Sequence, residues 1–304
     1  MEFFTHKTKI DFMAQRKWAF ILSSLLVIFS IGTLIFKGLN LGLDFTGGVQ
    51  LELAYETAPD FNQIRQKLDE AGLEAVVQAY GSSKDVMIKL RLYDDLDQQQ
   101  LTKQVLKSLP LAKLQRSAMV GAQTGKTLVT NGILAVLIAL LGTMIYIAFR
   151  FEYRFALSAA ISLIHDPMLI LGVFSLFQIK FDLIALAAVL TVIGYSLNDT
   201  IVVYDRVREN FRKVRKATPY DILNMSVNQT LSRTIMISAL TFSVVTALLI
   251  FGGQMLQGFS IAMLVGIVVG TYSSIYIAGS LALLFNLDRR HLMPAEKKVV
   301  DSLP

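Results

Sequence analysis

Two aspartates lie deep inside long apolar stretches of this sequence, where a carboxylate is costly. Asp166 lies within FALSAAISLIHDPMLILGVFSLF and Asp199 within LAAVLTVIGYSLNDTIVVY. A charge near the centre of a bilayer costs about 2.5–3.5 kcal/mol on insertion scales, so chains rarely carry one without a use for it. The sequence therefore first indicates a membrane protein that works with an ion or proton gradient.

Asp199 has polar neighbours that favour a proton relay. On a helix, Asn198 and Asp199 share a face with three further residues, Tyr195, Val202 and Arg206. Arg233 opens the fifth apolar stretch from the same side of the membrane, so it is expected to meet Asp199 at a similar depth. An Asp–Arg pair lowers the cost of burial, and separating it would favour protonation of the aspartate. Two interpretations stay open, a proton relay and a static ion pair.

The second carboxylate lies in the tripeptide His165-Asp166-Pro167, at the middle of the third apolar stretch. Pro167 removes a helix hydrogen bond and predicts a kink there. His165 and Asp166 are either a second element of the relay or a polar contact that stabilises the bent helix. His165 has no second His or Cys at ligand spacing, so no metal site is expected.

The elements that position these residues are transmembrane helices. The chain has 304 residues, of which 54% are hydrophobic and 17% charged, well below the charged fraction of about 25% in soluble domains. Six segments are long enough to cross about 30 Å of hydrocarbon: Trp18–Phe36, Thr127–Phe149, Phe155–Phe177, Leu183–Tyr204, Thr234–Phe251 and Phe259–Leu287. The prediction is a polytopic α-helical membrane protein with a retained first helix.

The net charge of +6 follows the topology rather than indicating nucleic acid. Lys and Arg cluster before the first segment, at 150–154, at 206–233 and after Leu287, whereas the short loops on the other side carry only Lys180. Short-loop Lys and Arg set orientation, so both termini are expected in the cytoplasm. The predicted organisation is a cytoplasmic segment 1–17, helix one at 18–36, an external domain 38–126, helices two to six in 127–287, and a cytoplasmic tail 288–304.

The external segment 38–126 reads as a small α+β domain. VQLELAY alternates like a half-buried strand, and DFNQIRQKLDEAG is an amphipathic helix stopped by Gly72. LEAVVQAY and KDVMIKLRL predict two strands joined by the turn GSSK. DLDQQQLTKQVLKSL is a second helix and LAKLQRSAMV a last strand. The order β-α-β-β-α-β predicts a ferredoxin-like fold.

The last apolar segment carries a stripe of small residues at every fourth position. Such a stripe lets another helix backbone approach closely in lipid. The partner is either another helix of the same bundle or a second protein. The stripe consists of Gly258, Ala262, Gly266, Gly270, Ser274, Ala278 and Ala282.

Two apparent enzyme motifs are rejected. GAQTGKT has three residues between its glycine and Gly-Lys, where a nucleotide-binding loop needs four. Asp199 lies in Ser-Leu-Asn-Asp, without the Gly-x-Gly-Asp motif of intramembrane aspartyl proteases. The chain has no cysteine, which removes thiolate metal sites. No catalytic residue, cofactor or enzyme activity is predicted.

Several motifs resemble the SecD/SecF family of protein-export membrane proteins, part of the RND superfamily. The stretch LGLDFTGGVQLEL, with Asp44, Phe45, Gly47 and Gly48, resembles the signature that SecD and SecF share. GYSLNDTIVVYDRVRENFR, beginning at Gly194, is more specific and resembles the SecF branch. Further similarities are FRFEYR (149–154), TLSRT (230–234), FGG (251–253) and GTYSSIY (270–276).

The resemblance implies an accessory subunit of the Sec protein translocase in the bacterial inner membrane, with its domain in the periplasm. It implies SecD and YajC as partners, together with the SecY, SecE and SecG channel and unfolded preproteins. It also implies that proton motive force drives late steps of export, and that the family's relay Asp and Arg match Asp199 and Arg233. The alternatives are a small-molecule or lipid exporter of RND type and a passive assembly scaffold.

Overall fold

The architecture is an α-helical membrane bundle with one small α+β domain inserted after the first long helix. It is described from a computed structural model covering residues 8–80, 82–91, 97–214 and 216–287. The predicted tail 288–304 and the first seven residues of the predicted segment 1–17 lie outside these ranges. Within them, six helical stretches are long and apolar enough to cross a membrane.

The elements follow the chain in this order: α1 (Arg16–Lys37), α2 (Leu43–Thr46), β1 (Gly48–Ala54), α3 (Phe61–Glu70), β2 (Ala75–Tyr80), β3 (Ser82–Leu90), α4 (Gln98–Ser108), β4 (Lys113–Val120), α5 (Ala122–Arg150), α6 (Tyr153–Phe177), α7 (Leu183–Lys213), α8 (Pro219–Phe251), α9 (Gly253–Tyr272), a π-helical segment (Ser273–Ala278) and α10 (Gly279–Leu284). We call α1, α5, α6, α7 and α8 the first to fifth spans. The last span is α9, the π-helical segment and α10 together.

Several helices extend beyond the apolar segments that predicted them. α7 continues past Tyr204 to Lys213, and α8 begins at Pro219, fifteen residues before Thr234. Arg233 therefore lies within α8 rather than at its opening. The reason is local, because Thr218 caps α8 with a capping box that includes Asp221 and Pro219 occupies the first turn. Polar residues thus join the helix without interrupting it.

The third, fourth and last spans form the centre of the bundle, and the other three lie around them. Most of the apolar window of α6 and of the last span is buried, whereas α5 and α8 expose most of theirs. Exposed side chains on α5 and α8 are large and apolar, such as Leu137 and Leu240. This distribution is that of helices that face lipid or a partner on the outside.

The small-residue stripe of the last span lies against α7 of the same chain. A Cβ at Gly266 would collide with Val192, and a Cβ at Gly270 would lie 3.1 Å from Ser196 Cβ. Ala262 is fully buried. The stripe therefore brings the backbones of the fourth and last spans close together, as small residues do in lipid.

The external domain contains a four-stranded antiparallel sheet in the order β2-β3-β1-β4. Its core side chains alternate along β1 and β3, as Leu51, Leu53 and Ile88 do, and they form one buried cluster with Leu68 of α3 and Leu101 of α4. Asp60 and Asp97 cap the two helices by accepting backbone N–H bonds. The predicted order of strands and helices is present. The predicted turn GSSK is shorter, because β3 already begins at Ser82.

After the first span, two elements have no counterpart in the sequence prediction. The short helix α2 lies inside the signature stretch, and the last span contains six π-helical residues, Ser273–Ala278. A π-helical segment widens the helix locally and is frequent at functional sites. α6 continues as a helix on both sides of Pro167.

Candidate functional site

Asp166 is the centre of a buried polar network that joins four spans. Its carboxylate is fully buried and accepts hydrogen bonds from the hydroxyls of Ser196 on α7 and Ser273 in the last span, the latter at 2.9 Å. His165 Nδ1 lies 2.9 Å from Asp166 Oδ1, and His165 Nε2 contacts the Ser23 hydroxyl of α1. Both ring nitrogens of His165 and both carboxylate oxygens of Asp166 therefore have a partner in this network.

Asp199 lies one turn beyond Ser196 on α7, and its environment differs from that of Asp166. It is 3% exposed, and its Oδ2 has no hydrogen-bond partner among the described residues. Its neighbours on α7 make the contacts instead: Ser196 donates to Asp166, and the Thr200 hydroxyl lies 2.9 Å from that of Ser274. α7 therefore presents Asp199 between two contacts that hold its helix in place.

Asn198 and Arg233 lie near Asp199 in sequence or depth, yet in the part of the chain that the structure describes neither side chain hydrogen-bonds to its carboxylate. Asn198 is exposed on the outer side of α7 and Arg233 is exposed on α8. Within the described ranges, Arg233 makes no ion pair with Asp199. Asp199 lies about 24 Å along α7 from its first residue, Leu183, and Arg233 lies about 27 Å along α8 from its last residue, Phe251. The two residues are therefore at similar depths in the membrane.

The sequence interpretation did not assign any serine or threonine to the network, although it placed Ser274 in the small-residue stripe. Ser23, Ser196, Ser273 and Ser274 are all buried. Their signal was present, since hydroxyls in apolar spans bond across helices. Isolated Ser residues are common in such spans, however, and only the fold shows that these four meet His165, Asp166 and Thr200.

The signature residues lie at the junction between the external domain and the membrane helices. Asp44 Oδ2 accepts a hydrogen bond from Leu183 N at the start of α7, at 3.3 Å. Phe45 is buried and stacks on Phe181, with ring centroids 6.0 Å apart. Gly47 has φ of +78°, which favours glycine, and a Cβ at Gly48 would collide with the Leu90 carbonyl of β3.

No group of three or more His, Cys, Asp or Glu side chains that could hold a metal ion occurs within the described ranges. His165 is already engaged on both ring nitrogens.

The fold and the buried polar groups define a polytopic helical membrane protein, and comparison with known proteins gives its family. The family described as "Protein export membrane protein SecD/SecF, C-terminal" matches residues 100–288, and the "SecD/SecF GG Motif" matches residues 32–59. The protein translocase subunit SecF of Pseudomonas aeruginosa is 47% identical over 97% of this chain and 98% of its own length. SecF of Vibrio alginolyticus is 46% identical over 94% of this chain and 93% of its own length.

A solved structure has the same fold. The crystal structure of SecDF from Thermus thermophilus, a translocon-associated membrane protein, aligns with a TM-score of 0.78 and 36% identity over 93% of this chain. This chain spans 39% of that longer chain. The protein belongs to the SecD/SecF family of protein-export membrane proteins.

Proposed function

We propose that this chain is an accessory, non-catalytic subunit of the Sec protein translocase that works with SecD and couples proton motive force to late steps of preprotein export. Its family membership and the names of its relatives support a role in translocation. YajC, the channel of SecY, SecE and SecG, and unfolded preproteins are proposed partners on the family resemblance.

The observation that carries the proton coupling is the buried Asp199 with an unpartnered carboxylate oxygen. An isolated buried carboxylate is costly as an anion, and a proton, a water or a partner's donor removes that cost. Asn198 and Arg233 would then line the access route from the exposed side of α7 and α8. Asp199 is the proton-binding group of the proposed relay.

The proton motive force supplies enough free energy to drive such a conformational change. Moving one charge across 100 mV supplies about 2.3 kcal/mol, and each pH unit adds about 1.36 kcal/mol. Two conformations separated by a few kcal/mol can be switched by this amount.

The exposed face of α7 supports a second helical bundle as partner. Thr191, Gly194 and Asn198 lie on this face at one-turn spacing and are all exposed, as is Arg233 on α8. A polar stripe and a cation at these depths are unfavourable against lipid. SecD, proposed to contribute the other half of an RND-like assembly, would cover them.

His165 and Asp166 admit two roles in this scheme. The geometry supports a lock that fixes α1, α6, α7 and the last span around Asp199, because the donors and acceptors on these two side chains are paired. Participation in proton flow remains the alternative. Asp166→Asn separates the two: complete loss of the proton-dependent component in a variant that still folds and assembles would place Asp166 in the relay.

We further propose that the external domain is ferredoxin-like and periplasmic, with both termini in the cytoplasm of a bacterial cell and the bundle in the inner membrane. The sheet order β2-β3-β1-β4 and its antiparallel pairing support the first part. Short-loop Lys and Arg support the orientation.

The experiment measures preprotein translocation into inverted membrane vesicles that contain SecD, at matched levels of the complex, with and without a protonophore. Asp199→Asn and Arg233→Met are expected to lose the protonophore-sensitive component and keep the ATP-driven one. Asp205→Asn is the matched control, because Asp205 lies on the same helix but is half-exposed beside Arg150 and Arg208. Normal stimulation by Asp199→Asn would exclude this coupling and favour a passive scaffold.

A further inference from the structure

The signature loop, residues 38–47, is bound directly to the loop that connects the third and fourth spans. Gly42 N donates to the Phe181 carbonyl at 2.7 Å, and Phe181 N donates to the Asn40 carbonyl at 2.8 Å. These two bonds form a parallel bridge between Leu41 and Phe181. The Asn40 side chain also donates to the Gln178 carbonyl at 2.9 Å.

Asp44 extends this contact to the first turn of α7. The first turn of a helix has N–H groups without intrahelical partners. Asp182 accepts one of them, from Ala185, at 2.8 Å, and Asp44 of the signature loop accepts another, from Leu183. The N-terminal end of α7 is therefore capped partly from outside its own sequence.

Phe45 adds a buried aromatic contact to the bridge. It stacks on Phe181, which makes an edge contact with Phe174 at 5.7 Å. Gly125, at the start of α5, lies so close that a Cβ there would be 2.5 Å from the Phe45 carbonyl. Both chain connections of the external domain thus meet at this residue.

The loop continues without a spacer into β1, which pairs with β3 on one side and β4 on the other. Asp199 lies on α7, about 24 Å from the end that Asp44 caps. Helix α7 thus connects the buried carboxylate, through the Asp44 contact, to one of the two central strands of the external sheet.

We propose that the signature loop is a clasp that makes the external domain and the N-terminal end of α7 move as one unit, with Asp44 and Phe45 as positioning residues. The proposal rests on the proposed function, because it assigns the path by which a change at Asp199 reaches the domain. The clasp stays closed during the export cycle.

The first test removes the hydrogen bond between Asp44 and Leu183 N, by changing either its acceptor or its donor. Asp44→Ala deletes the acceptor, and Leu183→Pro deletes the donor at a helix position where proline is tolerated. Each is expected to reduce the protonophore-sensitive export component by about two- to fivefold, the effect of losing one charged contact at a helix N-terminus. The double variant should be no worse than the single variants, because both remove one contact.

Asp60→Ala is the matched control, since Asp60 is also a helix cap but its carboxylate accepts from Asn62 N of α3, within the external domain. It should leave the component unchanged. Amide exchange of the whole SecD-containing complex gives a readout independent of export: Asp44→Ala must accelerate exchange at the start of α7. Unchanged exchange in Asp44→Ala, or equal export losses in Asp44→Ala and Asp60→Ala, would overturn the clasp.

The second test locks the clasp. The chain has no native cysteine, and a Cβ at Gly42 would lie 3.0 Å from that of Asp182. This separation is about 0.5 Å below the Cβ–Cβ range of disulfides, so the pair Gly42→Cys/Asp182→Cys can form one after a small outward shift of the two strands of chain. The double-cysteine variant is expected to show the same protonophore-sensitive export when oxidised as it shows under reductant.

The outcomes separate the clasp from the proposed function. If oxidation abolishes the component and reductant restores it, the clasp must open and the proposal is wrong. Failure to form the disulfide would equally contradict the close approach. If wild-type vesicles lack any protonophore-sensitive component, the proposed function fails, while disulfide formation and amide exchange still decide whether the clasp exists.

Discussion

Asp166 and Ser273 lie on different spans, and the Ser273 hydroxyl donates a 2.9 Å hydrogen bond to the Asp166 carboxylate. Ser273 is the first residue of the π-helical segment. The buried carboxylate is thus attached to the point where the last span departs from α-helical geometry. This contact makes Asp166 a determinant of how the last span packs.

Asp166→Ala is expected to destabilise the bundle by about 3 kcal/mol or more, because the donors of Ser196, Ser273 and His165 lose a buried acceptor. Asp166→Asn keeps a carbonyl oxygen and should cost less, about 1 kcal/mol. Thermal unfolding in detergent, followed by the loss of monodisperse protein, measures both.

The control for this prediction is Asp205→Ala, which removes an exposed carboxylate from α7 and should cost under about 1 kcal/mol. Equal unfolding midpoints for Asp166→Ala and Asp205→Ala would show that the network does not stabilise the bundle.

Gly266→Ala is expected to destabilise the bundle by about 1–3 kcal/mol, because the new methyl group overlaps Val192 of α7. Adding Val192→Ala should recover most of this loss by restoring the space. Gly142→Ala on α5 is the matched control, as nothing lies within 4 Å of its Cβ position. A destabilisation of Gly266→Ala that Val192→Ala does not relieve would argue against direct packing of the fourth and last spans.

Tyr204→Phe tests a hydrogen bond between spans in a fully buried setting. The Tyr204 hydroxyl lies 2.7 Å from the Ser158 hydroxyl and donates to the Ala278 carbonyl at 3.2 Å. Interhelical bonds in membranes are weak, so the loss should be about 0.6–1.7 kcal/mol. Tyr204→Ala also empties the space beside Phe151 and Phe155 and should cost about 3–5 kcal/mol. Similar unfolding midpoints for the two variants would refute this division between polar and packing contributions.

The sequence predicted the membrane segments because few structures other than a membrane-spanning helix accommodate an apolar run of this length. It also predicted the order of elements in the external domain, since the alternation of VQLELAY and the capping residues Asp60 and Asp97 act locally. The start of α8 was missed because Pro219 and Thr218 form a helix N-terminus in a polar stretch that hydropathy alone does not recognise.

The polar site was predicted less completely, for physical reasons. Helical spacing placed Asn198 and Asp199 on one face, but Asp199 is buried and Asn198 exposed, because they are adjacent residues about 100° apart around the helix. The pairing of Asp166 with Ser196 and Ser273 depends on how three spans pack, which no local pattern encodes. The relay roles of Asp199, Arg233, Asn198, Asp166 and His165 remain predictions.

Because of Lys180, in the loop between the third and fourth spans, the free energy of unfolding should change with pH in the alkaline range. Burial lowers the pKa of Lys180 below its usual 10.5, and the nearby Lys89 of β3 lowers it further, against the opposite effects of Asp182 and Asp44. The unfolded chain then binds more protons than the folded one as pH rises from the folded pKa towards 10.5. Stability should therefore increase across this window, because the charged form is penalised only in the folded state.

Lys180→Met removes this penalty. The variant is expected to unfold at a higher temperature than the wild type near neutral pH, and the difference should narrow as the pH approaches 10.5. Lys103→Met, at an exposed position of α4, is the control and should show no such pH-dependent difference. A wild type that is more stable than Lys180→Met near neutral pH would mean that attraction to Asp44 and Asp182 outweighs burial, so that Lys180 strengthens the contact between the external domain and α7.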